Sequence, residues 1–420
     1  MDQPREVVIT GVGVVSPLGV NKDAFWQSLD AGKSGVVHSL YEPTTDIPFQ
    51  YFAPVTGYEP KDYIPRKTLK VMSTEIQQAC GAAAMAMADA GLAKGAVEPR
   101  RFGVVLGSQM LYGDIQEVRE IFGKCNVDGE FQYERWGEFA FKDLFPLWML
   151  KYLPNMAACH IGIAHDAQGA TNSIVQGDAS SLLALAESVS TIERGLTDVM
   201  LTGGSGSRLA LGAMAFHCNQ DLTSYRGEPA GAMKPFDKRR DGLVLGEGSA
   251  ALVLEEKGRA VARGAKILAR IAGVSRRFES PEKPGGPTGS AIRATIQSVL
   301  EQGKLSSADI DHVNASANST VLADRIEAQA IRATLGDTPV TALKSFFGDP
   351  GAGGGAMELI AAVLALQNGQ APRTLNYEQP DPDCPVNVIA GGSKPVTKSA
   401  VIKLSQSDTG QAAAVALVRE

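Results

Sequence analysis

The chain has 420 residues, 44% of them hydrophobic, which is enough apolar side chain to bury a large core in two domains or in one large layered unit. A net charge of −6 leaves no basic excess, so composition offers no case for nucleic acid or for a membrane surface as partner. The five cysteines, Cys80, Cys125, Cys159, Cys218 and Cys384, are scattered without CxxC spacing, which argues against zinc or a redox pair and fits a reduced cytoplasm.

No apolar run reaches the roughly 20 residues of a membrane span. The first six residues lack the apolar core of a signal peptide and lead straight into a strand, so the expectation is a soluble, cytoplasmic protein. Residues 7–19, VVITGVGVVSPLG, read as a β-branched strand closed by a Ser-Pro turn. Its glycines have neither the GxGxxG spacing nor the lysine of a phosphate loop. Phe25, Trp26 and Leu29 follow at helical spacing with Gly32 as the stop. An Ala- and Met-rich segment over about residues 69–92 reads as a helix packed against other helices, and 101–108 as a buried strand. Residues 110–150 are less regular and gather Trp136, Phe139, Phe141, Phe145 and Trp148, a patch suited to a subunit or domain boundary or to a pocket wall.

Residues 169–182 read as a buried strand turning sharply into a long helix that carries Leu182, Leu185, Val189 and Ile192 and ends at Gly195. Asp178 stands at that turn. N–H groups of a first helical turn have no intrahelical partner and concentrate positive potential there. Asp178 is therefore either an N-cap, worth about 1 kcal/mol, or a functional group at a favourable position for negative charge. Strands follow at 198–204 and 250–255. The second half repeats the alternation: strand 267–274, a Pro- and Gly-rich surface loop at 280–287, helix 289–303, strand 312–315, a helix holding Asp324 and Glu327, strand 340–344, a Gly-to-Ala-rich helix 351–366, and paired strands 400–404 and 413–418. The pattern predicts an α/β protein of two similar halves, with helices sandwiched between and around two sheets.

Four segments, VVITGVGVVSPLG, PNMAACHIGI, the run MKPFDKRRDGLVLGEGSAALVLEE with its DxxRDGxVxGEG pattern from Asp237 to Gly248, and VNASANSTVLADRIEAQAI, resemble the elongating β-ketoacyl-acyl carrier protein synthases over nearly the whole chain. The resemblance implies a thiolase-like fold in an α-β-α-β-α arrangement, with an N-terminal half over residues 1–257 and a C-terminal half over 258–420. It implies no cofactor and no metal. It also implies a dimer, as a homodimer or as a heterodimer with an active ketosynthase, and an acyl carrier protein as partner. Arg66, Lys67 and Lys70 match the family's basic docking segment, which would attract an acidic carrier protein; the alternative is that they are simply solvated on an exposed helix.

Family members load an acyl chain on a cysteine and use two histidines in decarboxylative condensation. A thiolate is both nucleophile and leaving group, and imidazole N–H groups stabilise the developing negative charge. This chain departs at each place. Asp178 stands at the cysteine position in QGDASS, Ser316 at the first histidine in NASANST, and Asp349 at the second in KSFFGDPG. The family's C-terminal GFGGTN loop is replaced by residues 406–411, QSDTGQ. Lys344 and Glu327 are retained, either to organise the site or as a buried ion pair holding the C-terminal elements in register. None of the five histidines, His38, His160, His165, His217 and His312, falls at a matched catalytic position.

A carboxylate is a poor nucleophile toward a thioester, because the mixed anhydride lies above the thioester in energy. Two adjacent carboxylates can instead share a proton, and Asp178 and Asp349 are expected to face one pocket with Lys344 moderating their repulsion. Three functions follow: a non-condensing pseudoenzyme resembling a chain length factor of fatty acid or polyketide biosynthesis, an enzyme using carboxylate acid/base chemistry for decarboxylation or hydration of acyl thioesters, or an acyl carrier or acyl-CoA binding protein.

Overall fold

The computed structural model describes residues 5–39, 50–110, 112–282, 284 and 286–420. Part of the N-terminal segment and of the Pro/Gly loop, residues 1–4, 283 and 285, and Leu111 in the aromatic segment, lie outside the described residues. The main elements of the first half are strand β1 (Val7–Ser16), helix α1 (Thr74–Asp89), β2 (Phe102–Gly107), α2 (Met156–His165), β3 (Thr171–Ile174), α3 (Ser180–Glu193), β4 (Val199–Ser207) and β5 (Leu245–Glu256), with the expected helix around Phe25 and Leu29 formed by Lys22–Ala31. The second half runs β6 (Ala269–Phe278), α4 (Ser290–Gly303), β7 (Ile310–Asn314), α5 (Val321–Leu335), β8 (Pro339–Thr341), α6 (Gly354–Asn368), β9 (Ala400–Gln406) and β10 (Gln411–Val418).

The two halves have the same strand order, β3-β2-β4-β5-β1 and β8-β7-β9-β10-β6, each mixing parallel and antiparallel neighbours. Hydrogen bonding runs continuously between them, because β1 pairs with β6 over Val7–Ile9 against Ala269–Ile271. The expected two sheets are thus one path folded over at that short junction. Apolar alternation assigns the layers. Val12 and Val14 of β1 face inward onto α3 and α6, while Val15 faces α1 and α2. Val415 and Leu417 of β10 close the inner layer from the other side, and Ala412, Ala414 and Ala416 face α4 and α5. The five layers are α1/α2, the first half's strands, α3/α6, the second half's strands, and α4/α5. A period of two in the strands puts one set of side chains in each layer.

Several expected boundaries shift for local reasons. The Ala- and Met-rich helix starts at Thr74, since residues Leu69–Val71 form a separate 3₁₀ turn. The Gly-rich start of the 351–366 helix is a 3₁₀ turn, Gly351–Gly353, before α6 proper. Strand 340–344 stops at Thr341, and Lys344 opens a short helix, Lys344–Phe347. The strand expected to be buried at 169–174 is an open edge of the sheet: among the described residues β3 has a neighbour only on the β2 side, and Thr171 and Asn172 are exposed. The aromatic segment forms helices Ile115–Cys125 and Tyr133–Asp143, whose rings pack partly on one another and leave Phe141 96% exposed.

The glycines of the first motif serve packing. A Cβ on Gly13 would lie 2.1 Å from the carbonyl oxygen of Ala82 in α1, and one on Gly11 2.3 Å from that of Ala86. Gly13→Ala therefore forces α1 away from β1, with an expected loss of about 1–3 kcal/mol in urea denaturation.

Candidate functional site

The duplicated topology brings the starts of the two central helices together. Asp178 lies in the turn between β3 and α3, and Asp349 just before the 3₁₀ turn that leads into α6. Asp178 is not the helix cap: α3 begins at Ser180, with Ala179 in the N-cap position. Ser180 orders the turn instead, its Oγ accepting from the Gln176 N–H at 2.8 Å and donating to the Gly177 carbonyl at 2.6 Å. This leaves the Asp178 carboxyl to face inward, where Arg208 Nη2 donates to Oδ1 at 2.6 Å.

Arg208 is the residue that sequence reasoning missed. It follows the last residue of β4, is almost fully buried, and also pairs through Nη1 with Asp349 Oδ2 at 3.2 Å. Gly351, at φ +63°, leaves room for the guanidinium, since a Cβ there would come within 3.0 Å of Arg208 Nε. The backbone of Asp349 is held by the motif Val244–Gly246: its N–H donates to the Val244 carbonyl at 2.8 Å and its carbonyl accepts from Gly246 N–H at 3.0 Å. The front of the same motif anchors the loop that carries Ser316. Asp237 accepts from the N–H groups of Arg239, Glu378 and Gln379, and Arg240 donates to the carbonyls of Thr320 and Val321.

Ser316 sits in that loop with its peptide gripped from several sides. Glu327 Oε1 accepts from the Ser316 N–H at 2.7 Å and Oε2 from the Ala317 N–H at 2.8 Å. Lys344 Nζ donates to the Ser316 carbonyl at 2.6 Å, and Lys403 Nζ to the Ala315 carbonyl at 3.1 Å. Lys344 and Glu327 thus meet through a peptide; the cation's carboxylate partner is Glu358, at 3.7 Å, which also pairs with Lys403 at 2.6 Å. Glu358 and Lys403 each interrupt an apolar element, GAMELIAAV and AVIKLSQ, and that lone charge was the available signal. The 406–411 loop closes the site: Gln406 N–H approaches Ser316 Oγ at 3.4 Å, and Ser405 Oγ donates to the Asp178 carbonyl oxygen at 2.8 Å.

Asp178, Ser316 and Asp349 line one cavity of about 470 Å³ together with Arg208, while Glu327 and Lys344 lie behind its wall. The helix start does not make Asp178 comfortable as an anion. Burial raises its pKa to about 7, and Asp349 adds to the rise, against the opposing pull of Arg208 and Lys344. Burial pushes Asp349 up as well, but there Arg208, Lys344 and the Gly351 N–H outweigh it and hold it at about 2. The pair therefore carries one proton more readily on Asp178. His217 lies close enough for burial and then the Arg208 charge to push it down to about 4, so it stays neutral. Arg66, Lys67 and Lys70 are far from this arrangement in kind: all three are exposed, on a turn and a 3₁₀ helix and not on the exposed α-helix considered above.

Residues 4–260 match the family described as Beta-ketoacyl synthase, N-terminal domain, and 268–378 match Beta-ketoacyl synthase, C-terminal domain. The chain belongs to the β-ketoacyl synthase family. It is 31% identical to 3-oxoacyl-[acyl-carrier-protein] synthase 2 of Coxiella burnetii, covering 92% of each chain, and 31% identical to a putative polyketide beta-ketoacyl synthase 1 of Streptomyces halstedii, covering 98% of each. Among solved structures it is similar to the ishigamide ketosynthase/chain length factor, at 25% identity and a TM-score of 0.87 over 100% of both chains. A beta-ketoacyl synthase from Burkholderia phymatum gives 29% identity and a TM-score of 0.87 over 99% of this chain and 100% of that one. The thiolase-like ketosynthase fold is therefore present, yet among the described residues lining the cavity of this family member there is neither cysteine nor histidine.

Removing the cation should expose the cost of the two buried carboxyls. Arg208→Ala is expected to lose about 3–5 kcal/mol in urea denaturation, part of which Asp178→Asn in the same chain restores. The pH dependence has a definite sign. Because the folded-state pKa of Asp178 is raised from 3.8 to about 7, its contribution to stability is complete below about pH 4 and lost as pH rises through about 7. Asp178→Asn should flatten that segment of the stability-against-pH curve.

Proposed function

We propose that this chain is a non-condensing, chain-length-factor-like subunit that pairs with an active ketosynthase in polyketide or fatty acid biosynthesis. The observation that carries the reading is the salt-bridged set Asp178–Arg208–Asp349. It occupies the turns at the two central helices with charged groups already satisfied by one another, and supplies no nucleophile for a thioester. Both halves and their anchoring motifs are otherwise intact, so what is lost is the condensation chemistry and not the scaffold. The likeness to a ketosynthase/chain length factor structure supports a paired assembly.

The open edge of β3, flanked by the exposed Ile163 and Val175, offers the pairing surface on the dimer reading, with a copy of the chain or with a ketosynthase subunit. A neighbouring solved structure is described as a type II polyketide acyl-carrier protein in complex with its ketosynthase. An acyl carrier protein is the proposed second partner here, drawn to the exposed Arg66, Lys67 and Lys70.

A second reading rests on the divided proton affinity of the carboxyl pair. Asp178 near pH 7 beside an ionised Asp349 is a general acid and base in outline. Decarboxylation or hydration of an acyl thioester by the isolated chain, abolished by Asp178→Asn, would establish it.

The partner reading predicts that the isolated chain, mixed with acyl- and malonyl-carrier protein, forms no covalent acyl adduct and releases no carbon dioxide. With a cognate ketosynthase it should co-elute as a heterodimer and change the length of the product chain. Efficient condensation by the isolated chain, read by mass spectrometry of the carrier protein, would sink the proposal.

A further inference from the structure

Gln109 stands two residues beyond the end of β2, beside Gly206 of the neighbouring strand β4, and is only 8% exposed. Its amide has a fixed orientation. Nε2 donates to the Ser207 carbonyl at 2.6 Å, and turning the amide over would set Oε1 against that carbonyl oxygen, two acceptors facing each other. Oε1 therefore points away from Ser207, and there it is buried without a donor among the described residues.

Arg208 has the complementary need. Its Nη2 donates to Asp178 and its Nη1 pairs with Asp349, while Nε is buried without an acceptor among the described residues. An orphaned donor and an orphaned acceptor inside a protein each carry a desolvation cost, which pairing them removes. The two atoms are neighbours. The position of the Cβ that Gly351 lacks is 2.5 Å from Gln109 Oε1 and 3.0 Å from Arg208 Nε, so both border the same small space. Gly206 keeps clear of it as well, since a Cβ there would lie 2.9 Å from Oε1. One of these glycines belongs to the first half and the other to the second.

We infer that Gln109 is the positioning residue for Arg208, its side-chain carbonyl accepting from Nε across the space left by Gly351, directly or through one water. Each guanidinium nitrogen then has its own partner, Asp178, Asp349 or Gln109, and the planar group is held in one orientation from three separate segments of the chain. A guanidinium held by two carboxylates alone can pivot about them. The third contact removes that freedom, and its consequence falls on the carboxyl pair. Arg208 opposes the effect of burial on Asp178, so the placement of the guanidinium sets how readily Asp178 keeps its proton. The inference goes beyond both functional readings and depends on neither.

The test follows the Arg208 Nε–H by NMR in the full chain, with the signal assigned through the bonded side-chain carbons. That proton should be protected from solvent exchange. Gln109→Met keeps the length of the side chain and removes the amide, and it should speed the exchange at least about tenfold. Looser packing alone would also speed the backbone N–H groups of Asp349 and Gly246, which bond nearby and should change by less than about twofold. In the same variant the titration of Asp178, read from its carboxyl carbon, should move up by at least about half a unit, because the loosened guanidinium opposes burial less. If Gln109→Met does not fold, a crystal structure of the unaltered chain decides: Nε should meet Gln109 Oε1, or one water shared with it, at hydrogen-bond distance. Exchange at Nε that Gln109→Met leaves unchanged, an Asp178 titration that stays in place or moves down, or a crystal structure in which Nε bonds to another acceptor would each overturn the inference.

Discussion

Two buried carboxyls share one guanidinium at the centre of this molecule, and much of the surrounding architecture exists to hold them there. Asp178 and Asp349 occupy equivalent places in the two halves, each ahead of a central helix. Their mutual repulsion and desolvation would be prohibitive without Arg208, which reaches both from the end of β4. Gly351 leaves room for the guanidinium, and the Val244–Gly246 segment fixes the Asp349 backbone. Neutralisation is incomplete, so the two carboxyls divide their proton affinity. The one with more cationic and backbone support stays ionised, and the other takes up the proton.

A second buried network supports the first without touching it directly. Lys344, Lys403 and Glu327 have their charged groups inside the protein and spend hydrogen bonds on the peptides of Ala315, Ser316 and Ala317, while the buried Glu358 pairs with both lysines. Such a network fixes a loop tightly, since loosening any member leaves another charge unpaired in a medium of low polarity. Ser316 is therefore presented to the cavity in one position. The Gln406 N–H reaches its hydroxyl oxygen from the facing strand.

Much of the fold was legible from residue order. Alternating strand and helix patterns revealed two similar halves, and the motif from Asp237 to Gly248 carried the family resemblance because its residues make specific backbone contacts that few other side chains can make. Asp178, Ser316 and Asp349 were found by their positions in family-like segments, and they do line a common cavity. Less legible were Arg208, Glu358 and Lys403. Each is a single charged residue within or beside an apolar element, and its partner lies far along the chain: Arg208 is 30 residues from Asp178, and Glu358 belongs to α6 while Lys403 belongs to β9. The exposure of β3 was also hidden, because a strand's sequence does not say whether its far edge meets another strand or none.

By itself the sequence determined the layered α/β class, the family and the absence of cysteine and histidine from the segments QGDASS, NASANST and KSFFGDPG. These depend on residue type and local period, and both are written directly in the order of residues. Only the tertiary structure decided the state of the carboxyls. From the turn alone, the helix start argued for a stable negative charge on Asp178. Folding buries that carboxyl beside a second one and shares a single cation between them, so desolvation and repulsion outweigh the helix terminus and the proton remains. Charges brought together across distant segments follow a field that no local pattern contains.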